Sequence, residues 1–142
     1  MPFSTPYANQ ILSYTLSKTM TLTAPEFVYL GLCSNDPEAD NGTFTELSGG
    51  NYSRVLIVQR NQSFPALIGS ASNRKITNNG QITGNKATAQ LTAKGFGLFS
   101  AATGGTPFFY GKLAQEVVIP VDAVPLFEAG AFGLEFLATD AE

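Results

Sequence analysis

Two segments, one in each half of the chain, each join an apolar strand to a turn rich in glycine, proline and polar residues. The run 27–33 leads into residues 34–37, and the chain returns through residues 46–54. Later, residues 94–99 lead into residues 100–107. Aromatic and β-branched residues broken by Gly, Pro, Asn and Asp are typical of strands and bends in sheet proteins. Neither segment carries a catalytic nucleophile, a metal cluster or a phosphate loop, so the pattern favours a scaffold over a catalyst.

Length and composition favour a single domain spanning residues 1–142. A chain of 142 residues buries about two thirds of the surface that its unfolded form exposes. Charged residues make up only 13%, about half the usual share. Two explanations of this low charge content remain open: a surface rich in Ser, Thr, Asn and Gln, or a surface covered by neighbouring subunits.

The reactive residue types are few. The chain has no His, no Trp and one cysteine, Cys33, which lies in an apolar run and is expected to be a buried small hydrophobe. One cysteine excludes a disulfide within the chain. Neither a signal peptide nor an apolar run long enough to span a membrane is seen in the sequence. We therefore expect a soluble protein made in a cytoplasm, with no membrane partner.

Charge is segregated into three blocks. Residues 1–53 carry one Lys and five acids, residues 54–112 carry seven Lys or Arg and no acid, and residues 113–142 carry six acids and no base. Such blocks either pair within one fold or form complementary patches that orient one subunit on another. A basic block between two acidic ones lacks the contiguous basic surface that phosphate contacts require, so we expect no nucleic-acid partner.

The residue pattern predicts one helix and several strands. A helix is predicted over about residues 6–17, with Thr5 as its cap, Pro6 in its first turn and an apolar stripe at Ala8, Ile11, Leu12 and Leu16. Strands are predicted over about residues 26–33, 52–59, 87–94, 95–99, 108–113, 117–121 and 131–137. No structure is predicted for residues 61–86. The expected fold class is all-β, mainly an antiparallel β-sandwich of jelly-roll type, with a short N-terminal α-helix.

One loop has a weak likeness to a calcium site. Asp36, Glu38 and Asp40 alternate as oxygen ligands do in a calcium loop. Gly42 falls one place late, however, and no bidentate Glu closes the loop, which favours a solvated turn with Asx-type hydrogen bonds. The glycines of residues 95–105 lack the strand-to-helix context of a nucleotide loop. The sequence thus predicts no cofactor and no metal other than these weak calcium candidates.

The sequence gives little support for a catalytic site, but it does suggest residues that could form an interface. Without His, a Ser nucleophile would need Lys or a carboxylate as its base, and no spacing singles one out, so we predict that the chain is not an enzyme. Adjacent aromatics in one strand face both sides of a sheet, so one of Phe108 and Phe109 faces the core and the other faces either a second layer or another chain. The interface candidates are Tyr52, Arg54, Phe108 and Phe109, because Tyr, Phe and Arg are common interface anchors.

Four segments carry a family resemblance: residues 28–37, 46–54, 96–105 and 126–131. In the same order and with similar residues, they resemble segments of small tailed-bacteriophage virion proteins, often labelled tail-fibre or minor structural proteins. The resemblance implies a virion component with a β-sandwich fold, made in the host bacterial cytoplasm. It also implies that the partners are other virion proteins, either the major capsid protein or tail proteins.

Within that family we expect a capsid decoration, or cement, protein that binds across capsid subunits and stabilises the shell. Small size, the lack of a long fibrous region and the segregated charge favour this role, since weak bonds at many lattice sites add up. A tail-fibre or baseplate module that contacts the host is the alternative, and a carbohydrate-binding module with a Tyr-based site is a more remote one. We expect a homo-oligomer.

Overall fold

The structure is a computed structural model that describes residues 4–17, 27–59, 73–77, 81–128, 130–131 and 133–137. Its helix α1 (Thr5–Leu12) continues as a π-helical turn over Ser13–Ser17. The strands are β1 (Phe27–Cys33), β2 (Val55–Gln59), β3 (Asn73–Thr77), β4 (Ile82–Thr83), β5 (Leu91–Phe99), β6 (Phe109–Ile119), β7 (Leu126–Phe127) and β8 (Gly133–Leu137). This confirms the prediction of an all-β fold with a short N-terminal helix.

The strands form one four-stranded sheet and two small ribbons. The sheet has the order β2-β1-β5-β6, while β3 pairs with β8 and β4 pairs with β7. Every strand pairing is antiparallel. The jelly-roll form of the sandwich stays a prediction.

Two boundaries differ from the sequence-based expectation. The predicted strands over residues 87–94 and 95–99 correspond to a single strand, β5, which begins only at Leu91, so the prediction was wrong over residues 87–90. Those predicted over residues 108–113 and 117–121 correspond to a single strand, β6. Lys94 is where β5 changes register: Ala93 pairs with Val117, but Gly95 pairs with Lys112. The four intervening β6 residues form a bulge, which bends the strand without ending it. This bulge explains why alternation along the sequence breaks while the strand continues.

The predicted strand over residues 52–59 starts later, since β2 begins at Val55. Residues 52–54 lie before the strand, and the side chains of Tyr52 and Arg54 hydrogen-bond to other parts of the chain. Strands β3 and β4 lie within residues 61–86, for which the sequence pattern predicted no structure.

One face of the sheet packs against the β4–β7 ribbon. Leu30 pairs with Leu98 and Leu32 with Phe96, so all four side chains share this face. They belong to one buried apolar cluster with Ile82 of β4, and Phe127 of β7 packs against it. The cavity left between these layers is about 20 Å³, room for about one water and too small for an organic ligand. This face is therefore a packed core.

The opposite face of the sheet is covered by the loop over residues 34–47. Gly31 and Gly97 lie directly opposite each other, and two aromatic rings lie across them. A Cβ at Gly31 would lie 2.8 Å from Phe99 Cε2, and one at Gly97 would lie 3.0 Å from Phe44 Cε2. The rings of Phe44 and Phe99 meet edge to face with centroids 5.3 Å apart. Glycine is required here because it lets the aromatic layer lie directly on the backbone.

The N-terminal helix is attached to the start of β6. The backbone N–H of Ser4 donates to the carbonyl of Phe108 at 3.0 Å, and the Tyr7 ring lies 5.3 Å from the rings of both Phe108 and Phe109. Ser4, not Thr5, is the N-cap residue, and its side chain makes no capping bond. The prediction of Thr5 as the cap was wrong by one residue, because Thr5 already has helical geometry.

The predicted apolar stripe of the helix does not pack against the sheet. Leu12 is 55% exposed and Leu16 is 77% exposed. No residue of α1 itself is buried. Among the described residues, no helix is long and apolar enough to cross a membrane.

Candidate interaction surfaces

Arg54 lies at the centre of a buried polar network. Its side chain is 3% exposed. Its Nε donates to Glu46 Oε1 and its Nη2 donates to Glu46 Oε2, both at 2.8 Å. Its Nη1 donates to the carbonyl oxygens of Ala101 at 2.9 Å and Gly104 at 2.8 Å. The guanidinium carbon lies 3.4 Å from the centroid of the Phe99 ring. Four charge-assisted hydrogen bonds and a cation–π contact thus tie the β5–β6 loop to the loop that precedes β2.

Tyr52 completes this network. Its hydroxyl donates to Glu46 Oε1 at 2.9 Å and accepts from the backbone N–H of Leu32 at 2.9 Å. Burial is the main cause that raises the pKa of Tyr52, so the hydroxyl stays protonated and remains a donor. For Glu46, burial opposes ionisation, but the hydrogen bonds from Arg54 and Tyr52 outweigh it and lower the pKa below its ordinary value of 4.5. Glu46 is therefore an ionised acceptor at neutral pH.

The four predicted interface residues all make contacts within the chain. Tyr52 and Arg54 belong to the polar network, Phe109 is buried in the core, and Phe108 is half-buried beside Tyr7. Their residue types were chosen because Arg and Tyr anchor interfaces, but the same hydrogen-bonding capacity serves an internal network equally well. Their interface role stays a prediction.

Residues from the basic block form ion pairs with residues from the acidic blocks of the same chain. Within the described residues, each ion pair joins the basic block to an acidic one: Arg54–Glu46 at 2.8 Å, Lys86–Asp122 at 3.3 Å and Lys94–Glu116 at 3.9 Å. The last two pairs are more than half exposed, so each contributes at most about 1 kcal/mol. Intrachain pairing, one of the two interpretations left open by the sequence, is therefore seen for these six residues.

The acidic loop forms a hydrogen-bonded turn. Asp36 Oδ1 accepts from the backbone N–H groups of Glu38 at 3.0 Å and Ala39 at 3.2 Å, and Asp40 Oδ2 accepts from Asn35 Nδ2 at 2.8 Å. This is the Asx-type turn that the sequence favoured over a calcium loop. In the part of the chain that the structure describes, no three His, Cys, Asp or Glu residues are grouped to hold a metal.

Cys33 is shielded from solvent. Its Sγ donates to the carbonyl of Asn35 at 3.3 Å, and the residue has no exposed surface. Burial raises the pKa of the thiol to about 12. A protonated thiol is a poor nucleophile, so Cys33 is a packing residue.

Two sets of exposed apolar residues lie outside the four predicted interface residues, and the first overlaps the predicted apolar stripe of the helix at Leu12 and Leu16. The first, here called the helix patch, comprises Leu12, Tyr14 and Leu16, each more than half exposed. The second, here called the valine ridge, comprises Val118, Val121, Val124 and Leu126, which are 45–54% exposed. One signal was available for the ridge, because residues 117–127 contain a single charge, Asp122, over a run longer than a strand needs. The residues of each set are close along the sequence, and their exposure makes them candidates for contact with another chain.

A protein-family profile described as podophage GP4 fiber I protein gp80 matches residues 2–135. The chain belongs to this family. The match covers nearly all of the sequence and confirms the resemblance to structural proteins of tailed-phage virions, and with it the expected location in the virion. No curated protein matches the sequence.

Membership of this fiber family fits the distribution of chemical groups on the molecule. The ionisable groups of Glu46, Tyr52, Arg54 and Cys33, which are buried or half-buried, contact one another or backbone atoms. The apolar groups of the helix patch and the valine ridge lie outside, where another polypeptide has access to them.

Proposed function

We propose that this protein is a non-enzymatic structural subunit of a phage tail fibre that associates with copies of itself and with other virion proteins. The observation that carries the proposal is the match of residues 2–135 to the podophage fiber I family. It covers the helix patch, the valine ridge and the buried network together, so the proposal concerns the whole folded unit.

The exposed apolar surfaces support the assembly part of this proposal. The helix patch and the valine ridge leave about half or more of each large apolar side chain in water. Covering such surface is favourable by about 25 cal/mol per Å². Neither surface carries an unpaired charge, since Asp122 forms an ion pair with Lys86 and Ser4–Ser17 contains no charged residue. We propose that neighbouring subunits cover these surfaces in the virion.

Capsid decoration is the second candidate function. It is favoured by the short elements of the fold, since the longest described strand has 11 residues and the helix α1 has 8. A decoration protein needs only a compact module of this kind, which binds across capsid subunits at many equivalent sites.

Copy number separates the two candidates. The protein and the major capsid protein are to be quantified in purified virions by mass spectrometry with labelled peptide standards. We expect a small number of copies per virion, together with antibody labelling at the tail. Hundreds of copies per virion and labelling over the head would support decoration and contradict the fibre assignment.

A further inference from the structure

A polar groove lies where three separate parts of the chain meet at β6. Its volume is about 160 Å³. It is lined by Ser4, Thr5, Pro6, Asn41, Gly42, Thr106 and Tyr110. The start of α1, the turn after β1 and the loop before β6 each contribute, so the groove exists only in the folded chain.

The side chains that line this groove have unused hydrogen-bonding capacity. The hydroxyls of Thr5, Thr106 and Tyr110 and the amide of Asn41 make no hydrogen bond with any other described residue. Hydroxyls both donate and accept, and an amide offers two donors and an acceptor. Among the residues that the structure describes, no charged side chain lines the groove. The groove therefore presents four uncharged, unpaired polar groups to whatever enters it.

Gly42 keeps the tyrosine hydroxyl accessible. Its φ is +85°, and a Cβ at this position would lie 3.1 Å from Tyr110 Oη. A side chain there would both strain the turn and cover the hydroxyl. Glycine at position 42 therefore adopts the positive φ of the turn and leaves the Tyr110 hydroxyl accessible from the groove.

The walls of the groove are held in place before any ligand arrives. The Gly42 N–H donates to the Pro37 carbonyl at 2.8 Å, and the Ser4 N–H donates to the Phe108 carbonyl at 3.0 Å. The loop that leads to Thr106 is held by the two hydrogen bonds from Arg54. A pre-formed site loses less conformational entropy on binding than a mobile one.

We propose that this groove binds one ring of a neutral saccharide. A sugar ring offers several hydroxyls that can both donate to and accept from these four polar groups. An anionic ligand would need a cation, and none of the described lining residues supplies one. At about 160 Å³ the groove is smaller than the 300–1,000 Å³ sites typical of drug-sized ligands, which limits it to about one ring. This inference does not depend on whether the subunit belongs to the tail or to the capsid.

The test is a titration of this protein with simple sugars, in which NMR chemical shifts report binding. The probes are the methyl glycosides of glucose, galactose, mannose and N-acetylglucosamine, with methyl glucuronide as the anionic comparison. We expect saturable binding of at least one neutral glycoside at millimolar concentration and weaker binding of the glucuronide. Absence of saturable binding for all four neutral glycosides, or tighter binding of the glucuronide, would overturn the proposal.

Two variants locate the site. Asn41→Gly removes the amide and suits the local φ of +54°, and Thr106→Val removes a hydroxyl while keeping the side-chain shape. Each is expected to weaken binding by about 3- to 10-fold, the effect of losing one hydrogen bond. Thr103→Val, in the same exposed loop but outside the groove, is the matched control and should bind as the wild type does. Unchanged affinity in both groove variants, with unchanged melting temperatures, would place the site elsewhere and contradict the proposal.

Discussion

The guanidinium of Arg54 holds both carboxylate oxygens of Glu46 at 2.8 Å, with its carbon 3.4 Å from the centroid of the Phe99 ring. This pair joins the loop between β1 and β2 to the exposed loop between β5 and β6, since the same guanidinium also binds two carbonyls of that second loop. The arrangement leads to the first two predictions.

Glu46→Gln is expected to destabilise the fold by about 2–4 kcal/mol, because it leaves the buried Arg54 without its counter-charge. Urea unfolding followed by circular dichroism measures the change. Asp122→Asn is the matched control, since Asp122 forms an exposed ion pair with Lys86, and it should cost less than about 1 kcal/mol. Equal losses in the free energy of unfolding for the two variants would mean that the Arg54–Glu46 pair stabilises the fold no more than an exposed ion pair does.

The same pair makes stability depend on pH. The pKa of Glu46 is lower in the folded chain than its ordinary value of 4.5, so its contribution is present above pH 4.5 and is lost as the pH falls through the folded-state pKa. The melting temperature of the wild type should therefore fall below pH 4.5, and that of Glu46→Gln should fall less. If the melting temperatures of the two proteins fell in parallel between pH 6 and pH 3, Glu46 would not be the source of the pH dependence.

Gly95→Ala should destabilise the sheet by overpacking. A Cβ at Gly95 would lie 2.5 Å from Pro37 Cδ, 2.8 Å from Cys33 Sγ and 2.9 Å from the Gly111 carbonyl. We expect a loss of about 1–3 kcal/mol or more in the free energy of unfolding. Gly49→Asn is the control, because its positive φ suits Asn and nothing lies within 4 Å of a Cβ there. A neutral result for Gly95→Ala would show that the Pro37 loop does not pack on β5.

Leu16→Lys and Val121→Lys test the two exposed apolar surfaces. These side chains are 77% and 54% exposed, so each variant should change the melting temperature little. If copies of the chain cover these surfaces, the mass from light scattering should shift toward the monomer in at least one variant. Thr103→Lys, at an exposed polar position, should leave the wild-type mass unchanged. A wild type that is monomeric at every concentration would exclude self-association through these surfaces.

Cys33 should resist thiol reagents in the native state. Its pKa of about 12 and its burial leave almost no accessible thiolate at pH 8. Labelling with iodoacetamide, measured by mass spectrometry, should be slow for the native protein and complete in denaturant. Rapid labelling of the native protein would mean that β1 opens readily.

Sequence patterns located the strands best where apolar residues form an unbroken run. The strand prediction is confirmed over residues 27–33, because these seven consecutive residues favour a buried strand, and residue 26 lies outside the described residues. β5 and β6 were each divided in two, since a bulge opposite Lys94 disrupts alternation without ending either strand. The Asx turn at Asp36 was also predictable, since it depends only on neighbouring residues.

Local chemistry was thus determined by the sequence: an all-β chain with a short helix, turns at the glycines, a thiol in an apolar strand and too little reactive chemistry to indicate an enzyme. Only the tertiary structure decided which groups meet. Arg54 binds carbonyls about 50 positions away along the chain, and the groove beside Tyr110 combines three distant segments. The physical reason is that strand and turn preferences act over a few neighbouring residues, whereas ion pairing, stacking and grooves depend on distances that the sheet register sets.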